Sequence, residues 1–306
     1  MRGDKMIEVN HLSFAYDPAE PVLSDICFQA GRGETIGLIG ANGAGKSTFL
    51  RMLVGLELSF EGEILIAGER LEKKNLDQVR SRIGYVFQDS DSQLFMTTVE
   101  EDVAFAPRNY GFPEEEVRRR VDMALEKVHI EHLRGKSIYK LSGGEKKRAA
   151  IATILSMDPE VILMDEPSAA LDPKNRRNLI HVINGLEGTR IIASHDLDFI
   201  RDTCERTVLL SEGRIIYDGP SQKVLQDREL LEAHNLELPL SLMHVITHTH
   251  DGSTHTHMFV HEHAAEHGKD HGTGHGADHG TGHEAMHQAD HGTGHETEHG
   301  ASGIDD

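Results

Sequence analysis

Nine consecutive residues, Gly40-Ala-Asn-Gly-Ala-Gly-Lys-Ser-Thr48, constrain this chain more than any other stretch. They fit the pattern G-x-x-x-x-G-K-[ST], whose composition follows from what it must hold. Glycines let successive backbone N–H groups converge on phosphate oxygens, and a helix starting there adds its positive end. A lysine reaches the outer phosphates, and the serine hydroxyl can ligand Mg2+. Gly40, Asn42, Gly43, Gly45, Lys46, Ser47 and Thr48 are therefore expected around the phosphates of a purine nucleotide. The flanks agree: Glu34–Gly40 reads as a short buried strand and Ser47–Val54 as a helix. The expected class is α/β, with the loop joining a strand to a helix.

The rest of the chain narrows what the nucleotide drives. Its 306 residues suffice for a sizeable core. A formal charge of −20 argues against nucleic acid as a partner, because phosphate backbones are held by clustered Lys and Arg. The two cysteines, Cys27 and Cys204, lie far apart among apolar residues and read as small, reduced core residues. No N-terminal apolar leader and no run of eighteen apolar residues occurs. The expectation is a soluble, cytoplasmic chain whose membrane role, if any, is that of a peripheral subunit.

Along the chain, Met6–Tyr16 and Val22–Gln29 read as two strands of an antiparallel layer ahead of the loop. Tyr16 is either a half-buried strand aromatic or a platform on which adenine stacks. Gly62–Ala67 and Ile83–Gln88 are strand-like, and Gln88 opens the polar loop Asp89-Ser-Asp-Ser-Gln-Leu-Phe95. Thr98 is expected to cap a helix with acidic residues in its first turn. Val117, Val121, Leu125 and Val128 recur at helical spacing, which indicates an inserted helical subdomain. Leu141-Ser-Gly-Gly-Glu145 heads a further helix and offers a second anion-binding turn. Val161–Asp165 is an apolar strand ending in Asp165 and Glu166, at the edge where ligands bind in parallel sheets. There Asp165 can hold Mg2+ through water and Glu166 can polarise an attacking water as general base. Arg190–Ser194 is another buried strand, and His195 at its end is a candidate γ-phosphate sensor.

Taken together, in this order and spacing, residues Met6 to Ala233 resemble an ATP-binding-cassette (ABC) ATPase subunit. The resemblance implies a P-loop NTPase core with an antiparallel β-subdomain and a helical subdomain, occupying residues 1–240. It implies that Tyr16 stacks adenine and that Gln88 touches both Mg2+ and the coupling surface of a membrane subunit. Ser142, Gly143 and Gly144 would bind the γ-phosphate of ATP held by a second copy. Asp172 would sit at the dimer seam, and Glu166 with His195 would support hydrolysis. Glu145 stands where the family usually has Gln. Because all these motifs are intact, a head-to-tail homodimer would have two equivalent, hydrolysis-competent sites. A narrower resemblance, in Phe87–Phe95 and Thr98–Phe105, is to the ATPase of energy-coupling-factor importers, notably the cobalt and nickel branch, with Ser90 where Pro is usual. Asp89 and Asp91 either dock arginines of the coupling protein or merely solvate the loop.

After Pro239 the composition changes. Sixteen of the 22 histidines fall between His244 and His299, and residues 241–306 carry eleven acids against the single Lys269. From His267 to His299 every fourth residue is histidine, among glycines that disfavour a helix, so this segment is expected to be disordered without metal. His248-Thr-His250 and His255-Thr-His257 differ: a hairpin between them would put His248, His250, His255 and His257 on one face as a transition-metal site. Imidazole suits Ni2+, Co2+, Cu2+ and Zn2+ alike. The combined expectation is an ATP- and Mg2+-dependent ATPase on the cytoplasmic face of the membrane, energising import of nickel, with cobalt next. Its partners would be integral-membrane coupling and substrate-binding subunits. The alternatives are an importer of another substrate with the tail as metal buffer or sensor, a metal-storage role, or a non-transport ATPase. The last usually carries a second cassette or a long coiled-coil insertion, and neither occurs in the sequence.

Overall fold

The computed structural model describes residues 5–250 and 253–260, with side chains described as far as residue 242. Strands β1 (Lys5–Asp17) and β2 (Glu20–Gly31) form a long antiparallel ribbon. β3 (Thr35–Ile39) then runs into the phosphate loop and α1 (Lys46–Leu53). β4 (Glu61–Ile66) and the short β5 (Glu69–Arg70) join the ribbon as a four-stranded sheet ordered β2-β1-β4-β5. After α2 (Leu76–Arg82) and β6 (Ile83–Val86) come the helices α3 (Val99–Asn109), α4 (Glu114–Lys127) and α5 (Gly143–Leu155). The chain continues through β7 (Val161–Asp165), α6 (Pro173–Asn184), β8 (Thr189–Ala193), α7 (Leu197–Thr203) and β9 (Arg206–Ser211). It ends with β10 (Arg214–Pro220), α8 (Ser221–Gln226), α9 (Arg228–Ala233) and a hairpin of β11 (Met243–His250) and β12 (Ser253–Val260).

A six-stranded sheet ordered β10-β9-β3-β8-β7-β6 forms the centre, parallel except where β10 folds back on β9. Its inner strands are apolar on both faces because both are covered, as parallel sheets require. In β7, Ile162 and Met164 face the core shared with α3–α5, whereas Val161 and Leu163 face the core shared with α1 and the antiparallel layer. β3 divides the same way: Ile39 joins the first core, Ile36 and Leu38 the second. Period-two alternation thus sorts one strand's side chains between two layers.

The helical insertion rests on the periodicity seen in the sequence. Val117, Val121, Leu125 and Val128 are all at most 1% exposed, each contributing about 2 kcal/mol by burial. Thr98 caps α3: its side chain accepts from Glu101 N, and the Glu101 carboxylate accepts from Thr98 N in return. The insertion leaves the sheet after β6 and returns at β7, which are adjacent parallel strands. No helix among the described residues is long and apolar enough to cross a membrane.

One expectation about the cysteines needs correction. Cys204 is buried in the core, but Cys27 is exposed, because alternation along β2 sends Ile26 and Phe28 inward and Cys27 out. The repeat from His267 to His299 lies outside the described residues.

Candidate functional site

Gly40 and Gly45 show why the loop tolerates no other residue. At Gly40, φ is +154° and a Cβ would stand 2.2 Å from the carbonyl oxygen of Leu210. Gly45 caps α1 at φ +102°, where a Cβ would meet Leu23 at 2.8 Å. Between them the loop wraps a cavity of about 310 Å³ lined by Asn42, Gly43, Lys46, Ser47, Gln88, Glu166 and His195, among others. Gly45 and Thr48 line it too, together with Val22 of β2.

The lysine lies under the loop. Lys46 is 7% exposed, and its ammonium donates to the carbonyl oxygens of Gly40 (2.7 Å) and Ala41 (3.1 Å). Burial lowers its pKa from the ordinary lysine value, while Glu166 and Asp165 pull the other way. Ser47 donates to Asp165 Oδ1 at 2.9 Å, and Tyr85 donates its hydroxyl to Asp165 Oδ2 at 3.1 Å. Burial followed by the Asp165 charge pushes the Tyr85 phenol well up, so it stays a donor. The Ser47 hydroxyl and the Asp165 carboxylate stand side by side, the first able to ligand Mg2+ and the second to hold it through water. The donor set is one of hard oxygens, and it fits that ion.

Glu166, one residue beyond β7, is 6% exposed and adopts φ +46°, a left-handed conformation uncommon for such a residue. Its neighbours fix it there. Its N–H donates to Ala193 O (2.8 Å), and its carboxylate accepts from Ser194 Oγ (3.1 Å), His195 N (3.1 Å) and His195 Nδ1 (2.9 Å). Facing a carboxylate, Nδ1 carries the proton of that bond.

Gln88 reaches the cavity from a loop fastened to α5 at two points. Lys147, 3% exposed, donates to the carbonyls of Phe87 (3.2 Å) and Gln88 (2.8 Å). Gln93 accepts from Phe87 N and donates to Ala150 O and Thr153 Oγ1. The two loop acids are engaged within the chain: Asp89 accepts from Asp91 N and Ser92 Oγ, and Asp91 pairs with Lys146 at 2.5 Å. Beside this loop, Phe87, Phe95, Phe105 and Tyr110 line a cleft of about 380 Å³, with Phe95 61% exposed.

Ser142, Gly143, Gly144, Asp172 and Tyr16 lie away from the cavity lining. Ser142 caps α5, exchanging bonds with Glu145, whose carboxylate also pairs with Lys136. Ser142 and Gly143 are exposed there, and Gly144 is buried against Asn175, whose Cγ would lie 2.3 Å from a Cβ at that position. Asp172 caps α6, accepting from Lys174 N and Asn175 N, so the Ser142 turn and the Asp172 turn are neighbours. Tyr16 stands 57% exposed at the end of β1, edge-on to Phe14. Sequence reasoning missed Ser194, Tyr85 and Lys147. Ser194 alone left a signal, a polar residue closing an apolar strand beside the cavity.

A parallel sheet with this loop at its carboxyl edge, a carboxylate pair ending the neighbouring strand and an inserted helical subdomain defines a P-loop ATPase. An ABC transporter domain model matches residues 23–169. The chain is 44% identical over 239 residues to the energy-coupling factor transporter ATP-binding protein EcfA of Methanothermobacter thermautotrophicus, across 76% of this chain and 77% of that protein. Against EcfA of Methanocaldococcus jannaschii it is 41% identical over 239 residues, 76% and 86% of the two chains. The solved structure of cbiO1 from Clostridium perfringens, part of the ABC transporter complex cbiONQ, superposes with a TM-score of 0.69 at 38% identity, covering 77% of this chain and 96% of that one. The chain belongs to the ABC transporter ATP-binding family and is an ATPase of the energy-coupling-factor type.

Proposed function

We propose that the chain hydrolyses ATP to energise import of a transition-metal cation, nickel first and cobalt next, as a peripheral subunit on the cytoplasmic face of the membrane. The observation that carries the hydrolytic part is the convergence of Lys46, Ser47, Gln88, Glu166 and His195 on one cavity. Phosphates lie along the N–H groups of Gly40–Thr48, with Lys46 against the outer ones. Ser47 and Asp165, beside Gln88, would hold Mg2+, which would supply positive charge against the phosphates. Glu166 takes the proton of the attacking water, and His195, held through Nδ1 by Glu166, faces the γ-phosphate. Tyr16 stacks adenine. Ser142, Gly143 and Gly144 close on the γ-phosphate of ATP held by a second copy, with Asp172 at the seam. The pair is a homodimer with two equivalent sites.

The cargo is inferred from the histidines. We assign residues 1–240 to the ATPase and 241–306 to a metal-binding tail. The hairpin register supports a site there: His248 pairs with His255, and His250 and His257 lie two residues from them on the same face. Integral-membrane coupling and substrate-binding subunits complete the transporter, meeting this chain at the aromatic cleft beside Gln88. The test is ATP hydrolysis by the complex reconstituted with its membrane partners, with Ni2+ and with Co2+. Stimulation by either supports the metal assignment, and stimulation by neither refutes it. Deleting residues 241–306 separates roles for the tail: lost uptake with intact hydrolysis supports coupling, whereas unchanged uptake indicates storage.

A further inference from the structure

The exposed Cys27 does not stand alone. On the exposed face of the β1–β2 ribbon, His11 Nδ1 lies 2.7 Å from Asp25 Oδ1 and 3.7 Å from Cys27 Sγ. One donor atom from each of the three can be chosen so that all lie within 4.8 Å of one another. Regular pleating would not bring them together. The ribbon carries consecutive irregularities, one between Val9 and Leu12 and the next between Leu12 and Phe14. His11 falls in the first and Asp25 opposite the second, each in a left-handed conformation, φ +51° and +55°. Bulges of this kind re-aim side chains.

The arrangement is fixed from both sides. Asp25 N donates to Ser13 Oγ, and His11 N points at Cys27 Sγ, 3.4 Å away. On the third strand, Gly62 leaves room for the bulge: a Cβ there would stand 2.4 Å from the His11 carbonyl oxygen. The three side chains are thereby aimed by backbone rather than by chance rotamers.

We propose that His11, Asp25 and Cys27 form a binding site for a divalent transition metal of the Zn2+, Co2+ or Ni2+ class, separate from the Mg2+ site and from the tail. One imidazole, one carboxylate and one thiolate are the ligands such borderline ions take. With bonds of about 2.0 Å to N and O and about 2.3 Å to S, neighbouring donors of a tetrahedral ion lie roughly 3.3 Å (N to O) and 3.6 Å (N to S) apart. The observed N–S separation of 3.7 Å already matches. The N–O pair, now sharing a proton at 2.7 Å, opens by roughly 0.6 Å when the ion replaces that proton. Three protein ligands leave one position for water. Since His11 comes from β1 and the other two from β2, the ion cross-links the strands of the ribbon that ends in Tyr16.

The sulfur makes the site testable in the full chain despite the histidine-rich tail, which lacks cysteine. The other thiol, Cys204, is buried, and burial pushes it up to about 12. Co2+ is added to the reduced full-length protein in excess over all histidines, and the thiolate-to-Co2+ charge-transfer absorption is recorded. The band is expected in the wild type and in Cys204→Ser, absent in Cys27→Ser, and formed at least about tenfold more weakly in His11→Gln and Asp25→Asn. ATP binding by each variant checks that it folds. A second readout needs no variant: Zn2+ should slow alkylation of Cys27 by iodoacetamide at least about tenfold. Absence of the band in the wild type, its persistence in Cys27→Ser, or alkylation indifferent to Zn2+ overturns the site.

Discussion

Replacing Lys147 by methionine tests how the Gln88 loop is tied to α5. The side chain is 3% exposed and donates to two loop carbonyls. Burial pushes its pKa down from 10.5 to about 8, with Asp89 and Asp165 opposing. At about 1.4 kcal/mol per unit, keeping this ammonium charged costs the native state about 3 kcal/mol relative to the unfolded chain. The cost is borne in full below about pH 8. As pH rises from there toward 10.5, the native lysine has lost its proton while the unfolded one retains it. The unfolded state then binds more protons, so stability rises with pH. Lys147→Met lacks the titrating group, and its other groups cancel in the comparison. The unfolding free energy of the wild type minus that of the variant should therefore increase by about 2.5 kcal/mol between about pH 7 and about pH 10. Urea denaturation of both proteins at the two pH values measures it. A difference constant to within about 0.5 kcal/mol would refute the buried clamp.

Three further outcomes follow from the site. Gly40→Ala forces a Cβ onto Leu210 O at 2.2 Å, and unfolding in urea should show a loss of about 3 kcal/mol or more; a loss under about 1 kcal/mol would mean that the loop moves freely. Tyr85→Phe removes the donor on Asp165 Oδ2 and should weaken Mg2+ binding to the protein–ATP complex about tenfold, leaving Mg2+-free ATP binding unchanged; equal Mg2+ titrations would contradict this. Glu166→Gln should cut the steady-state hydrolysis rate about 10²- to 10⁴-fold with ATP affinity retained, and a rate within tenfold of wild type would remove Glu166 as the base.

Much of the nucleotide site could be read from sequence because its elements are local. The loop needs glycine where the backbone is left-handed or crowded, and strand β7 must be apolar because both faces are covered. Thr98 and Ser142 announced their helices through side chains that bond three residues ahead. Ser194, Tyr85 and Lys147 act through partners 28, 80 and about 60 residues away in sequence, which no local pattern encodes. The His11–Asp25–Cys27 group escaped for a related reason. Alternation correctly places Cys27 outward, but bulges break the period-two register, so no count along either strand would put His11 and Asp25 side by side.

The connection of the helical insertion to the sheet has a mechanical consequence. Its chain departs after Val86 and comes back at Val161, on adjacent strands, so both of its ends are anchored side by side in the sheet. Lys147 and Gln93 weld the aromatic cleft to the helix whose first turn carries Ser142. A load applied at Phe95 is therefore passed toward the Ser142 turn through the Gln93 and Lys147 bonds to α5.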